Sequence, residues 1–177
     1  MNTTIIDAIY KDYKEMDDFF IKNNELNIAV RKYFSKLLLL SAASFFEKTL
    51  TEHILQIVRI HTGGRKIISE FVKNKAITRQ YHTYFNWNEK NANSFFGLFG
   101  RDFKNFMVDI IKSDSNMDES IKSFLELGQL RNRLVHENFA EFNLEKTVEE
   151  VYSLYQSALS FVNIFPEKLH DYTTNSF

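Results

Sequence analysis

Residues 121–136 read IKSFLELGQLRNRLVH and carry the pattern from which the fold is predicted. Apolar residues recur here at steps of three and four, the spacing at which side chains share one face of an α-helix. That face consists of Phe124, Leu125, Leu127, Leu130, Leu134 and Val135. The polar residues 113–116 just before this pattern are typical of a helix N-terminus. We therefore predict a buried amphipathic helix that ends at His136, with Gly128 as the position at which it could break.

Three polar residues lie on or beside the apolar face of this helix. Arg131 falls within the face, and Asn132 and His136, four residues apart, lie together at its edge, whereas Arg133 points away. An unpaired guanidinium is costly to bury, so Arg131 requires an acidic partner, a water-filled groove or a second subunit. The simpler interpretation is a structural ion pair for Arg131 and a helix-end cap for His136.

Helical periodicity extends over most of the chain. We predict further helices over residues 3–25, 28–60, 65–76 and 101–112, and a last helix capped by Asn143 that ends near Pro166. One proline and five glycines in 177 residues argue against a β-rich fold. The fold predicted is an all-α up-and-down bundle of about five to six helices. It forms a single domain over residues 1–177, with 170–177 as a frayed tail.

Two short polar stretches lie within or directly after the first predicted helix. Asn23 and Asn24 predict a bend after the first helix. The adjacent acids Asp17 and Asp18 have no matching acid or ligand spacing nearby, so they are interpreted as solvated surface.

Composition excludes several classes of protein. The chain has no cysteine, which rules out disulfides and thiol chemistry and fits a cytoplasmic setting. Its five histidines form no zinc-binding spacing, and no phosphate-binding glycine loop is present, so no metal or cofactor is expected. The N-terminus lacks the features of a signal peptide, and the apolar run at residues 37–40 is too short for a membrane span.

Charge and aromatic residues are unevenly distributed. Residues 31–80 hold ten Lys/Arg against three Asp/Glu, a net charge of +7 in a chain of net charge −1. This block could attract phosphate groups, or it could be a solvated helix face. The stretch from Gln80 to Asn88 is aromatic and polar, and Arg79 and Lys90 flank it. Such aromatic residues either stack on RNA bases or fill the core beneath an irregular connection.

The motif Arg131-Asn132-x3-His136 resembles the Arg-x4-His signature of HEPN-domain ribonucleases. Residues 41–47, with small side chains followed by two phenylalanines and Glu47, look like the second helix of such domains. The Asn-x-Asn and Phe-Gly pattern over residues 91–100 is similar to inserts of the RiboL-PSP and MAE-type groups. We predict that Glu47 orients Arg131, with Arg133 as a further supporting residue. The alternative for Glu47 is a surface carboxylate paired with Lys48 or Thr51.

The resemblance implies a metal-independent endoribonuclease that acts as a toxin or an anti-phage defence effector. Histidine can move protons near neutral pH, and arginine can bind phosphate oxygens through its planar fork. Acid and base require two groups, whereas each chain supplies one motif histidine. The resemblance therefore implies a homodimer in which two copies of Arg131, Asn132 and His136 form one site for an RNA substrate.

Two other interpretations remain open. Some members of the family are non-catalytic modules for dimerisation or RNA binding, paired with a nucleotidyltransferase-like partner. A helical structural protein with a chance motif is the third possibility. A toxin or defence role implies an antitoxin or defence-system partner protein.

Overall fold

The computed structural model describes residues 3–20 and 24–175, and every regular element in these ranges is helical. In chain order the helices are α1 (Ile5–Phe20), α2 (Asn24–His61), α3 (Lys66–Val72), α4 (Tyr81–Tyr84), α5 (Asn93–Gly97), α6 (Arg101–Ser113), α7 (Ser115–His136) and α8 (Val148–Asn175). A π-helical turn, Lys73–Ile77, follows α3. The predicted all-α bundle is confirmed, with α1, α2, α6, α7 and α8 as its long helices. No helix in the described ranges combines the length and apolar character that crossing a bilayer requires.

Helix α2 is the centre of the bundle. Its middle turns carry apolar residues on more than one side, and Leu38, Leu39, Ala42, Phe46 and Leu50 are each at most 1% exposed. Helix α1 packs along α2, while α7 and α8 pack against each other and against α2. Because these partners approach from different directions, the middle turns of α2 are buried on more than one side, as their broad apolar pattern predicts.

Aromatic rings join α2, α7 and α8. Phe46 of α2 lies 5.6 Å from Phe124 of α7 and 5.3 Å from Tyr155 of α8, measured between ring centroids. Phe124 also contacts Phe161 of α8 at 5.1 Å. Stacked, tilted and edge-to-face pairs of this kind each stabilise a core by about 0.5–1.5 kcal/mol beyond the area they bury. This cluster fixes the middle of α7 against α2 and α8, and thereby positions the C-terminal turns of α7 that follow.

Side-chain caps determine where α7 and α8 begin. Asp114 accepts hydrogen bonds from two backbone N–H groups in the first turn of α7, at 3.0 and 3.1 Å. The prediction that Asn143 caps the last helix is wrong, because Thr147 and Glu150 form a reciprocal capping box. The Thr147 N–H donates to Glu150 Oε2 at 2.8 Å, and the Glu150 N–H donates to Thr147 Oγ1 at 3.1 Å. Pro166 lies inside α8 rather than near its end.

Asp17 belongs to the interior, so its interpretation as solvated surface is wrong. Its side chain is 8% exposed and accepts from Arg31 Nε at 2.8 Å and Arg31 Nη2 at 2.7 Å. Asn27 Nδ2 donates to the same carboxylate at 3.1 Å. The partners lie on α2, which folds back beside α1, so no acid spacing within α1 could indicate them. This bidentate, charge-assisted pair links α1 to α2.

The C-terminal turns of α8 are ordered through Asn175. Tyr172 packs its ring 5.4 Å from Phe103 and 5.3 Å from Phe106 of α6. Residues 170–175 of the predicted tail are therefore helical, and residues 176 and 177 lie outside the described part. The predicted bend at Asn23 and Asn24 falls partly on residues 21–23, which are also outside it.

Stability is expected to fall in mild acid because of His53 on α2. Its Nδ1 is buried without a hydrogen-bond partner, and burial holds its pKa below the ordinary value despite the opposing Glu52 carboxylate. As pH falls below about 6.5, the unfolded chain takes up this proton first, so the free energy of unfolding decreases. Urea unfolding of wild type and His53→Leu at neutral and mildly acidic pH measures the effect, with the exposed His170→Leu as the matched control. An equal loss of stability in all three proteins would contradict the prediction.

Candidate functional site

A cavity of about 430 Å³ lies between α7, the middle of α2 and the segment that contains α4. Three parts of the chain that are distant in sequence form its walls. They are Ala43, Phe46 and Glu47 of α2, then Arg79, Tyr81, His82 and Trp87, and finally Phe124, Leu127, Gly128, Arg131, Asn132, Val135 and His136 of α7. The structure thus brings the three motif residues and Glu47 into one pocket.

Arg131 lines this pocket without an acidic partner. It is half-buried, and its Nη1 donates to Asn132 Oδ1 at 3.1 Å. No ion pair of Arg131 occurs within the described ranges, so the alternative of a structural salt bridge finds no carboxylate. Because its oxygen is bound to Arg131, Asn132 keeps the two N–H groups of its amide for another acceptor. The pair presents N–H donors toward the cavity, an arrangement suited to phosphate oxygens.

His136 is the last residue of α7 and lies at the mouth of the pocket. The chain leaves the helix at Glu137, which has extended backbone angles (φ −86°, ψ 162°) and donates its N–H to the Arg133 carbonyl at 2.8 Å. The His136 side chain is exposed and makes no hydrogen bond with the described part of the protein. It does not cap the helix end, and both ring nitrogens are accessible to a bound substrate.

Glu47 and Arg131 both influence the phenol of Tyr81 but form no ion pair with each other. The predicted direct contact between Glu47 and Arg131 is not formed, although both side chains line the pocket. Burial raises the pKa of Tyr81 above its ordinary value, the Glu47 carboxylate raises it further and the Arg131 guanidinium lowers it. Both charges therefore act on the same phenol. The alternative of a paired surface carboxylate also finds no support, because Lys48 pairs with Glu52 and Thr51 donates to the backbone carbonyl of Glu47.

Arg133 lies away from the pocket, on the opposite side of α7. Its Nε is 3.2 Å from Glu137 Oε1, and its guanidinium lies 5.1 Å from the centre of the Phe142 ring. The structure does not bring Arg133 together with Arg131 and His136. Its contacts hold the loop that follows α7, which is a structural role beside the site.

The segment 79–87 supplies a wall that the motif alone does not indicate. Of its aromatic residues, Tyr84 and Phe85 are buried in the core, each 5% exposed, whereas Tyr81 and Trp87 line the cavity. The core-filling interpretation is confirmed for Tyr84 and Phe85, and base stacking stays a prediction for Tyr81 and Trp87. His82 is a second histidine in the pocket that we did not predict. The aromatic composition between Arg79 and Lys90 was the only signal for it in the sequence.

Trp87 packs directly against α7 because Gly128 has no side chain. The helix runs through Gly128 without a break, and a Cβ at this position would overlap the six-membered ring of Trp87. The indole Nε1 donates to the His82 carbonyl at 3.0 Å. A glycine on the pocket face of α7 therefore provides the space in which the tryptophan is held.

The ionisable lining of the pocket is predominantly basic. Arg79, His82, Arg131 and His136 face a single carboxylate, that of Glu47. The guanidinium of Arg79 makes no ion pair with any residue in 3–20 or 24–175. Low-dielectric walls concentrate the field of such charges, which favours an anionic ligand. Within the same residues, no group of three or more His, Asp or Glu side chains is placed to hold a metal ion.

Comparison with known proteins identifies the family. A family model described as RiboL-PSP-HEPN matches residues 7–171. The chain belongs to this HEPN family. No curated protein and no solved structure matches it. HEPN domains commonly dimerise and bind RNA, so the RiboL-PSP-HEPN match indicates an RNase-like or RNA-binding role, in agreement with the resemblance of the Arg131–His136 motif.

Proposed function

We propose that this HEPN protein is a metal-independent endoribonuclease that acts as a toxin or an anti-phage defence effector. One observation carries the proposal. Arg131, Asn132 and His136 line a single basic pocket, and no carboxylate in the described part of the chain pairs with the guanidinium or the imidazole. A structural role would leave these groups paired, whereas a site for a phosphodiester requires them free.

The reaction follows from the chemistry of these groups. A base takes the proton of the ribose 2′-hydroxyl, the O2′–P bond forms, and the P–O5′ bond breaks as an acid protonates the leaving oxygen. The products are a 2′,3′-cyclic phosphate and a 5′-hydroxyl. His136 transfers a proton, while Arg131 and the Asn132 amide donate hydrogen bonds to the negative charge on the phosphoryl oxygens.

The second proton-transfer group comes, in this proposal, from His136 of a second copy of the chain. His136 stands beside two exposed apolar side chains, Val135 (52% exposed) and Phe139 (43% exposed). The buried Lys36 anchors the loop after α7, since its Nζ donates to the Phe139 carbonyl at 2.6 Å and lies 5.0 Å from the ring centre. Val135 and Phe139 thus form an apolar surface beside the site, and such a surface is suited to a two-fold dimer interface that joins the pockets of two chains. The biological partner is then an antitoxin or another defence component.

Incubation of the purified protein with total RNA in EDTA tests the function directly. We expect cleavage that survives chelation, with 2′,3′-cyclic phosphate and 5′-hydroxyl ends identified by end-specific labelling. Strict dependence on Mg²⁺ or Mn²⁺, or 5′-phosphate ends, would overturn the reaction proposed. RNA binding without cleavage would favour the non-catalytic module instead.

Arg131→Lys is expected to reduce cleavage although the positive charge is kept. A lysine ammonium cannot reproduce the planar fork that binds two phosphate oxygens, nor the bond to Asn132 with the same geometry. We expect a loss of about 100- to 1000-fold in kcat, the range seen when one donor to a transition-state oxyanion is removed. The matched control is Arg133→Lys on the opposite side of α7, which should retain activity. Equal rates for the two variants would exclude the proposed role of Arg131.

A further inference from the structure

The pocket is larger and more varied in chemistry than a phosphate site requires. Besides the basic groups it contains the aromatic side chains of Phe46, Tyr81, Trp87 and Phe124. Its volume of about 430 Å³ falls in the range of sites for small organic ligands, which combine apolar walls with a few polar groups. Phe46 and Phe124 belong to the core, whereas Tyr81 and Trp87 are only partly buried and offer aromatic surface that a phosphodiester alone would not use.

We infer that the aromatic part of this pocket binds one nucleobase of the RNA, with Trp87 and Tyr81 as the stacking platform beside the phosphate site. This inference rests on the proposed function and adds a base subsite to it. The ligand class is a nucleotide, which joins a flat aromatic group to a phosphate over a short distance and is the unit of the proposed RNA substrate.

The position of Trp87 along α7 supports the inference. Trp87 packs at Gly128, which precedes Asn132 by four residues, or about 6 Å along the helix axis. Arg131 and Asn132 therefore lie one turn above the indole on the same pocket wall. This separation corresponds to the reach of a single nucleotide, from its base to an adjacent phosphate.

Trp87 is held in place before any ligand binds. In addition to the bond from its Nε1 to the His82 carbonyl, its ring lies 5.0 Å from Phe85, 5.7 Å from Tyr81 and 6.0 Å from Phe124. The side chain is only half-buried, so part of the ring borders the cavity. A rigid aromatic side chain loses little conformational entropy when a base stacks on it.

Arg79 provides a second, independent observation. It adopts φ +62°, a left-handed conformation that is rare for a long side chain and costs free energy. The strained turn places its unpaired guanidinium at the pocket. Guanidinium planes both stack on bases and bind phosphates, so Arg79 is suited to the rim of a nucleotide site.

The chain contains a single tryptophan, so tryptophan fluorescence reports on the surroundings of Trp87. Adenosine 3′-monophosphate and uridine 3′-monophosphate are titrated into the full-length protein, with ribose 5-phosphate and inorganic phosphate as probes that lack a base. A solution of N-acetyltryptophanamide corrects for light absorbed by the nucleotides. We expect saturable quenching by the nucleotides and at least tenfold weaker binding of both base-free probes. Equal affinity for the base-free probes, or no saturable quenching, would overturn the inference.

A variant pair adds a second measurement by calorimetry. Tyr81→Leu should weaken nucleotide binding by about 5- to 150-fold, the fold-change that corresponds to the loss of one stacked base. Tyr33→Leu removes an exposed tyrosine of α2 that does not line the pocket and should leave binding unchanged. Equal affinity in the two variants would contradict the role of Tyr81 in the platform.

The base subsite and the proposed reaction can fail separately. Cleavage that depends on His136 without nucleotide-specific quenching would retain the ribonuclease and reject the base subsite. Nucleotide-specific quenching in a protein that cuts no RNA would retain the subsite and reject the reaction.

Discussion

Replacement of His136 by alanine should lower the rate of RNA cleavage by about 10²- to 10⁴-fold, the range that general acid–base groups contribute. The fold should survive, because a histidine at a helix C-terminus contributes at most about 2 kcal/mol and this one makes no hydrogen bond to the described part of the protein. Single-turnover cleavage of a defined RNA measures the rate, and thermal unfolding by circular dichroism measures the stability. Growth arrest on induced expression in bacteria should disappear with the same substitution.

Two other histidines serve as controls for this result. His170→Ala removes an exposed histidine of α8 outside the pocket and should leave the rate unchanged. His82→Ala removes the second histidine of the same pocket and should reduce the rate by less than His136→Ala does. Full activity of a well-folded His136→Ala protein would rule out the proposed acid–base role.

A mixed dimer of one wild-type and one His136→Ala chain should cleave RNA at well below half the wild-type rate. The physical reason is that acid and base act in a single reaction, so loss of either group removes the whole catalytic effect and the contributions are not additive. In a site shared by two chains, one missing imidazole disables the groove to which both chains contribute.

The experiment requires a dimer of defined composition. Chains with two different affinity tags are co-expressed and purified through both tags, and the rate is compared with that of the wild-type dimer treated in the same way. A rate of half the wild-type value would mean that each chain has an independent site. His82, which lines the same pocket, would then be the natural second proton-transfer group. The hypothesis of one site shared by two chains would have to be abandoned.

Much of the site follows from local periodicity. The spacing of apolar residues over 121–136 placed Arg131 on the inner face of α7, Asn132 and His136 at its edge and Arg133 on the outside, and the structure has each of these positions. This succeeds because the direction of a helical side chain depends on its residue number and the 100° rotation per residue, with little influence from distant sequence.

Contacts between helices could not be predicted from the spacing of residues in the sequence. The sequence indicated neither the burial of Asp17 against Arg31 nor the lack of an ion pair between Glu47 and Arg131, because both depend on how α2 packs against its neighbours. Whether a charged side chain is exposed to solvent or buried also depends on how the helices pack. An aspartate within a polar stretch is buried only when a partner arrives from another helix to satisfy its charge.

The sequence by itself therefore determined the helical class, the position of the motif on α7 and the basic chemistry of the site. Only the tertiary structure decided that the segment 79–87 closes over the motif, with Trp87 against Gly128 and His82 beside it. Only the four residues of α4 in that segment are helical, and irregular backbone on both sides gives no fixed rotation per residue from which the directions of Arg79 and Trp87 could be calculated. Packing of Trp87 against Gly128 and of Tyr84 and Phe85 into the core sets those directions, and these contacts exist only once the bundle has formed.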